Sequence, residues 1–188
     1  MTGDGVNDAP SIKSADIGIG MGINGTDVTK NVSDMILADD NFATIVNAVA
    51  EGRRIYDNIQ KSINFLLSSN LSEVISIFVS TLLSFTILRP AHILWINLIT
   101  DSLPALALGM EKEEPHLMER KPRKKGEGVF ANGAGFAILT QGIAVSALTL
   151  FSYFAGHKME SGMWEIAQSG HGMTMAFLTM AMAEIFHS

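Results

Sequence analysis

The chain has 188 residues, 47% of them hydrophobic, and a mean hydropathy of +0.26. Such a composition favours a membrane protein over a soluble enzyme. A formal net charge of −6 argues against a nucleic-acid-binding surface, and the lack of cysteine excludes disulfides and thiolate metal sites.

Residues 1–41 are predicted to form a small α/β piece. Asp16–Met21 and Asp34–Ala38 have the pattern of short strands, and the turn Asn24–Asp27 between them is predicted to cap a helix that ends near Ser33. Two or three small strands cannot bury a useful core alone. We therefore expect the chain to be a fragment of a longer protein.

A glycine-rich turn at the start of the chain carries two carboxylates. Thr2–Pro10 reads TGDGVNDAP, which places Asp4 and Asp8 four residues apart. Glycine lets a backbone approach a bound group closely. Two acids suit Mg²⁺, which combines carboxylates with phosphate oxygens and water and neutralises charge during phosphoryl transfer. A purely structural turn is the alternative.

From Phe42 onward the pattern is that of a long helix. Apolar residues recur at helical intervals to Ile63, charged residues lie between them, and no proline interrupts the run before Pro90. We expect residues 42–62 to form a cytoplasmic stalk that continues into the membrane. Such a rod would couple a soluble domain to a membrane site.

The remainder, residues 63–188, is predicted to be a bundle of four transmembrane helices, at 63–88, 91–110, 130–155 and 173–188. The predicted fold class is therefore mixed: a small α/β part is followed by a helical membrane bundle. The positive-inside rule places the basic residues and the N-terminal part in the cytoplasm. These residues are Arg53, Arg54, Lys61, Arg120, Lys121, Arg123, Lys124 and Lys125. The last five are alternatively a binding site for anionic lipid.

Two acidic residues lie near the middle of the first two membrane arms. Insertion of an Asp at mid-membrane costs about 2.5–3.5 kcal/mol, so Glu73 and Asp101 mark a candidate functional site. Asn70 and Glu73 are three residues apart, which favours one helix face. Asn97 and Asp101, with Thr100 between them, share a second face on the same grounds.

Pro104 is expected to unwind the second arm near Asp101, because proline cannot donate a backbone hydrogen bond. Two oxygen-rich patches would then face each other, and Ca²⁺ takes about six to eight such oxygen ligands. Glu184, in the last arm, is either a third carboxylate of this site or an interfacial residue. For the polar residues as a whole, hydrogen bonding between packed helices is the alternative.

These motifs resemble one family. Thr2–Pro10, continued by Lys13–Gly22, resembles the hinge motif of P-type cation-transporting ATPases. The first two membrane arms resemble the fifth and sixth helices of the calcium-pumping branch, particularly the sarco/endoplasmic-reticulum type. The similarity covers essentially the whole chain, and implies a HAD-like remnant of the phosphorylation domain followed by a stalk and helices five to eight of the parent.

The resemblance also implies roles for individual residues. Asp4 corresponds to the magnesium ligand, and Asn7 and Asp8 lie beside the aspartyl phosphate and its metal. Asp101 is the position expected to bridge two calcium ions. The full set of implied calcium ligands is Asn70, Glu73, Asn97, Thr100, Asp101 and Glu184. Ser72 and Ser102 replace glycines usual in the animal pump and leave the ligands unchanged.

By this resemblance the parent uses ATP as substrate to pump calcium, and it lies in the plasma membrane if it is bacterial. No Asp-Lys-Thr-Gly-Thr motif is present, and the nucleotide-binding domain, the actuator domain and the other helices are missing partners. We therefore expect the fragment alone neither to hydrolyse ATP nor to transport. A pump for sodium, manganese or magnesium is one alternative, and a non-transporting membrane assembly domain is another.

Overall fold

The computed structural model describes residues 1–123, 128, 130 and 133–187. The chain divides into two compact units. The first comprises Met1–Arg54 with Glu113–Met118, and the second comprises Ile55–Lys112 with Glu119–Ser188. The boundary after Arg54 falls inside the predicted stalk, and the proposed division at 41 and 62 stays a prediction.

The first unit contains a parallel sheet of three strands, which lie side by side in chain order. β1 is Thr2–Gly3, β2 is Ile19–Met21 and β3 is Met35–Leu37, so β2 and β3 lie inside the two predicted strands. Two short helices alternate with the strands, α1 at Ala9–Ser14 and α2 at Asp27–Val32. The short helix predicted between the two strands is thereby confirmed.

Local chemistry explains where these elements start and stop. Pro10 lies in the first turn of α1, where a missing N–H costs nothing. Thr26 caps α2, because its side-chain oxygen accepts the N–H of Thr29 at 3.3 Å. The side chains of Ile12 and Leu37 are 0% and 2% exposed and form the centre of this small core.

The predicted long helix is confirmed as a single element, α3, which runs without interruption from Phe42 to Leu82. It was predicted to continue to Leu88. It ends earlier because Ser84 adopts a left-handed conformation, with φ of 60°, and the N–H of Phe85 returns to the carbonyl of Ser80 at 3.0 Å. This is the bonding pattern of a Schellman C-cap, here without the usual glycine.

Among the described residues, three helical segments are long and apolar enough to cross a membrane: Phe42–Leu82, Pro90–Gly109 and Ala134–Ser161. The second consists of α4 at Pro90–Trp95, a π-helix at Ile96–Asp101 and α5 at Ser102–Gly109. The third is α6.

The fourth predicted span falls on α7, Gly170–His187, which is not one of those three. Its uninterrupted apolar core is short, because Gly170-His171-Gly172 precedes it and Glu184 follows. The fourth span stays a prediction.

The limits of the third predicted span, 130–155, stay a prediction, because residues 131 and 132 lie outside the described residues. α6 runs from Ala134 to Ser161, and glycines in the left-handed region border it, Gly133 with φ of 84° and Gly162 with φ of 79°. Gly156 does not end the helix. A Cβ on Gly156 would lie 2.9 Å from the Cα of Gly172, so this glycine allows α6 and α7 to pack closely.

An apolar cluster in the second unit joins α6 and α7 to the connection between α3 and α4. The rings of Phe85 and Tyr153 stack with centroids 4.5 Å apart, and Met180 of α7 is fully buried in the same cluster. Gln168 bonds the backbone of Thr86 through both its amide oxygen, at 2.9 Å, and its amide nitrogen, at 3.2 Å. These contacts fix one end of the helices that carry the polar site.

The chain that follows α5 lies along α3 within the second unit. Asn58, 3% exposed, donates to the carbonyl of Glu111 at 2.8 Å, and Arg120 pairs with Asp57 at 2.9 Å. The guanidinium of Arg123 lies 3.5 Å from the ring centroid of Tyr56. Lys124 and Lys125 of the basic cluster lie outside the described residues, and the topology and lipid interpretations both stay predictions.

Candidate functional site

The glycine-rich acid loop of the first unit is closed by Asp8. One oxygen of its carboxylate, Oδ2, accepts the backbone N–H groups of Asp4, at 3.2 Å, and Gly5, at 3.0 Å. A Cβ on Gly3 would lie 2.6 Å from the Cβ of Asp8. Glycine is therefore needed at position 3, because any side chain there would displace Asp8 from the turn.

A buried threonine that the sequence did not single out supports this loop. Thr29 is 0% exposed, and its hydroxyl lies 3.2 Å from the carbonyl oxygen of Asp4 and 3.0 Å from that of Gly5. These contacts fix the backbone of the loop, while the side chains of Asp4 and Asn7 are exposed. Mg²⁺ commonly takes one or two carboxylates, with phosphate and water supplying the other ligands, and this loop offers that number.

In the second unit, Ser69 of α3 connects two buried acids. Its hydroxyl oxygen lies 2.8 Å from Oδ1 of Asp101 and 2.6 Å from Oε1 of Glu184. All three side chains are buried, at 4%, 2% and 2% exposure. A serine hydroxyl has one proton and can donate to only one of the two carboxylates. A cation or a second proton would satisfy the carboxylate that does not receive the serine proton.

The third acid, Glu73, pairs with Asn97 of the π-helix. The amide nitrogen of Asn97 lies 3.0 Å from each carboxylate oxygen of Glu73 and 3.0 Å from the carbonyl of Ile93. Glu73 is 5% exposed. The side-chain amide therefore occupies the position between the two oxygens at which a cation held by both of them would bind.

The predicted unwinding near Asp101 takes a different form. The backbone stays helical but widens into a π-helix at Ile96–Asp101, a rare element that is frequent at functional sites. Ser102 donates its hydroxyl to the carbonyl of Asn97 at 3.0 Å. The side chain of Thr100 is buried and donates to the carbonyl of Ile96 at 2.8 Å.

Asn70 does not join this cluster. Its side chain is exposed and donates to the carbonyl of Leu66, one turn back on α3, at 2.7 Å. Residues three apart on a helix differ by about 60° in direction, so an exposed Asn70 and a buried Glu73 lie on either side of the boundary of the buried face. Asn70 and Glu73, which were expected to share one helix face, therefore differ in burial, and the role of Asn70 as a ligand stays a prediction.

Two oxygens of the cluster are buried without a hydrogen-bonding partner among the residues that the structure describes: Oδ2 of Asp101 and Oε2 of Glu184. Burying a carboxylate oxygen without a donor or a cation is costly. No group of three or more His, Cys, Asp or Glu side chains in the described ranges is arranged to hold a metal ion. A cation here would therefore need amide, hydroxyl or carbonyl oxygens as well as the acids.

Sequence reasoning missed Ser69, although a signal was present. Ser69 lies four residues before Glu73, a spacing that places both on one face of α3. Its neighbours Ser68 and Ser72 are also buried but bond the backbone of their own helix, at Phe65 and Ser69. Only the packing of α3 against the other helices distinguishes among these serines.

Comparison with known proteins shows a clear similarity. Residues 85–188 match the family described as "Cation transporting ATPase, C-terminus". The whole chain is 49% identical to Calcium-transporting ATPase 1 of Bacillus cereus and 47% identical to Calcium-transporting ATPase of Bacillus subtilis. Over 81% of the chain it is 52% identical to Calcium-transporting ATPase 3, endoplasmic reticulum-type, of Arabidopsis thaliana, where it covers 15% of that protein.

The chain spans only about a fifth of the length of the two bacterial relatives, 22% and 21%.

Proposed function

The chain belongs to the cation-transporting ATPases, and from that membership we propose that it forms part of an ATP-driven pump that carries calcium across a membrane. It is an integral membrane protein, and the part of the chain that the structure describes contains three helical segments apolar and long enough to span a bilayer. Within it, the second unit would supply much of the intramembrane calcium site. The first unit would supply a magnesium-binding loop at the site of phosphoryl transfer.

The observation that carries the calcium proposal is the convergence of Asp101 and Glu184 on Ser69, each with a second oxygen buried and unpartnered within the described chain. Glu73 adds a third carboxylate one turn further along α3 than Ser69. Three acids together with amide and hydroxyl oxygens suit a hard cation that loses its water shell. The proposed ligands within this cluster are Glu73, Asn97, Thr100, Asp101 and Glu184, and Asn70 stays a predicted ligand outside it.

The phosphoryl-transfer proposal rests on the acid loop. Asp4 would bind Mg²⁺ with its exposed carboxylate, and Asp8 would hold the loop in shape through the N–H groups of Asp4 and Gly5. Asn7, also exposed, would contact the phosphoryl group. When bound there, Mg²⁺ supplies neutralisation of the charge that develops during transfer. The phosphorylated aspartate would lie outside these 188 residues, as would the nucleotide-binding domain.

Further parts of the proposal concern topology. Residues 1–41 would be the end of a HAD-like phosphorylation domain on the cytoplasmic side, and α7 would be a fourth transmembrane helix. A bacterial parent would lie in the plasma membrane. Phosphorylation and cation binding would bias one two-state equilibrium, and the uninterrupted helix α3 is the proposed mechanical link.

The proposal is tested by the cation that full-length protein requires for phosphorylation by ATP at constant Mg²⁺. We expect a phosphoenzyme that depends on micromolar to millimolar Ca²⁺ and not on sodium or manganese. Dependence on one of those ions, or full phosphorylation with Mg²⁺ alone, would identify a pump for that ion instead. No phosphoenzyme under any of these conditions would favour the non-transporting assembly domain.

Ser69→Ala should weaken calcium binding by about tenfold, because a hydrogen bond to a charged group contributes about 1.5 kcal/mol and a tenfold change corresponds to about 1.4 kcal/mol. The hydroxyl holds the two carboxylates in place, and alanine removes it without changing the packing. The measurement is the calcium concentration that gives half-maximal phosphorylation. Ser68→Ala is the matched control, since within the described residues that buried hydroxyl bonds only the carbonyl of Phe65. Equal calcium requirements in both variants would contradict the role of Ser69.

A further inference from the structure

Buried serines recur along the inner face of α3, and one of them differs from the rest. Ser72, Ser76 and Ser80 are 0%, 0% and 3% exposed. The hydroxyls of Ser72 and Ser80 bond the carbonyls of Ser69 and Ile77 in their own helix, at 2.8 and 3.0 Å. The hydroxyl of Ser76 has no hydrogen-bonding partner in the described part of the chain. A buried hydroxyl without a partner costs about 1–3 kcal/mol.

The contacts of α3 with the second membrane segment place Ser76 relative to the polar site. Several side chains of α3 bond residues on that segment or just after it, and along α3 the partner's number falls as the α3 number rises, as in an antiparallel pair. Pairs that show this register are Asn58–Glu111, Ser62–Ala105, Ser69–Asp101 and Glu73–Asn97. One turn beyond Glu73, the same register brings Ser76 to the level of Ile93.

Ile93 is already part of the site. The amide nitrogen of Asn97 donates to the carbonyl of Ile93 and to both oxygens of Glu73, each at 3.0 Å. Since this NH₂ group occupies the position between the oxygens of Glu73, a cation that binds both of these oxygens must displace it. Cations bind the amide oxygen of Asn97 and not its nitrogen, so the displaced NH₂ group then needs a new acceptor in a buried environment.

We propose that Ser76 is a positioning residue of the cation site, whose hydroxyl oxygen accepts the side-chain N–H of Asn97 when a cation binds Glu73. The inference rests on the proposed function, because it assumes that Glu73 and Asn97 bind the transported cation. Without the cation, the amide of Asn97 donates to Glu73, and the hydroxyl of Ser76 has no hydrogen-bonding partner in the described chain. With the cation, the amide turns its oxygen to the metal and its N–H to Ser76. Outer hydrogen bonds of this kind orient ligands and affect metal affinity strongly.

The proposal makes opposite predictions for stability and for affinity. In the cation-free state, Ser76→Ala removes a buried polar group without a partner, so the melting temperature should stay the same or rise. In the cation-bound state it removes the acceptor of Asn97, so calcium affinity should fall about fivefold. A residue with only a structural role would not separate the two measurements in this way.

The experiment uses full-length protein in detergent and compares wild type, Ser76→Ala, Ser76→Thr and Ser80→Ala by equilibrium calcium titration and by thermal unfolding without calcium. Ser76→Thr keeps the hydroxyl and should restore the affinity to within about twofold of wild type. Ser80→Ala is the matched control, one turn further from the site on the same buried face, and should leave the affinity unchanged.

Two results would overturn the role of Ser76 while leaving the proposed function intact. One is a wild-type calcium affinity in Ser76→Ala. The other is a loss of affinity accompanied by a lower melting temperature in the absence of calcium, as expected for a packing residue. If calcium neither binds nor stabilises the wild-type protein, the proposed function itself is overturned, and this inference with it.

Discussion

Asp101→Asn is expected to abolish calcium-dependent phosphorylation of the full-length protein by ATP. Asp101 is 2% exposed, one of its oxygens lies 2.8 Å from the hydroxyl of Ser69, and the other has no partner in the described chain. Asparagine keeps the shape of the side chain but removes the negative charge, on which cation affinity depends. We expect calcium affinity to fall by about a hundredfold or more, which corresponds to roughly 3 kcal/mol.

The measurement is the amount of phosphoenzyme formed from ATP over a calcium titration. Phosphorylation by inorganic phosphate in the absence of calcium, the reverse of the hydrolytic step, serves as the control, because it reports a folded catalytic site that needs no transported ion. We expect the variant to retain it. Wild-type levels of phosphoenzyme from ATP in Asp101→Asn would contradict the site assignment.

The alternative in which these polar residues only pack helices together makes the opposite prediction. Replacing a buried acid by its amide would then remove a desolvated charge, and the double variant Glu73→Gln with Asp101→Asn would be tolerated or even more stable. Retained pump activity in the double variant would favour that alternative over a calcium site.

Gly156→Ala is expected to lower the stability of the second unit by about 1–3 kcal/mol, the usual cost of overpacking. A Cβ at this position would lie 2.9 Å from the Cα of Gly172 and 2.9 Å from the carbonyl oxygen of His171. Both are backbone atoms, so neither can move aside without shifting α7. Alanine stabilises a helix by about 1 kcal/mol relative to glycine. A loss of stability would therefore be due to the close contact and not to helix propensity.

The measurement is thermal unfolding of full-length protein in detergent. Gly170→Ala is the matched control, because in the described structure no heavy atom lies within 4 Å of the added Cβ there. Since α7 also carries Glu184, we expect Gly156→Ala to weaken calcium binding while Gly170→Ala does not. Equal melting temperatures for the two variants would show that α6 and α7 do not require this close approach.

Local sequence signals predicted much of the fold and part of the site. The apolar period that begins at Phe42 and the absence of proline before Pro90 predicted the single helix α3. Charge at mid-membrane correctly indicated that Glu73 and Asp101 are buried, and Glu184 proved to be buried as well. The structure differs from the sequence expectations at the end of α3 and at Asn70, whose exposed side chain lies outside the buried cluster. Ser84 ends α3 in the left-handed conformation, for which serine has little preference. Gly156, a residue type that often ends helices, instead allows α6 and α7 to pack closely.

The sequence by itself determined that this is a cation-transporting ATPase segment with a glycine-rich acid loop and buried membrane acids, because these features depend on residue type and short spacing. Only the tertiary structure decided which polar side chains meet. It placed Ser69 rather than Asn70 between Asp101 and Glu184, and it left the buried hydroxyl of Ser76 without a hydrogen-bonding partner in the described chain. Periodicity gives the direction of a side chain only to within about 60°. A hydrogen bond requires the distance between donor and acceptor to be right within a few tenths of an ångström. That accuracy depends on how closely the helices pack. The packing distance is set jointly by residues far apart in the chain, such as Gly156 and Gly172.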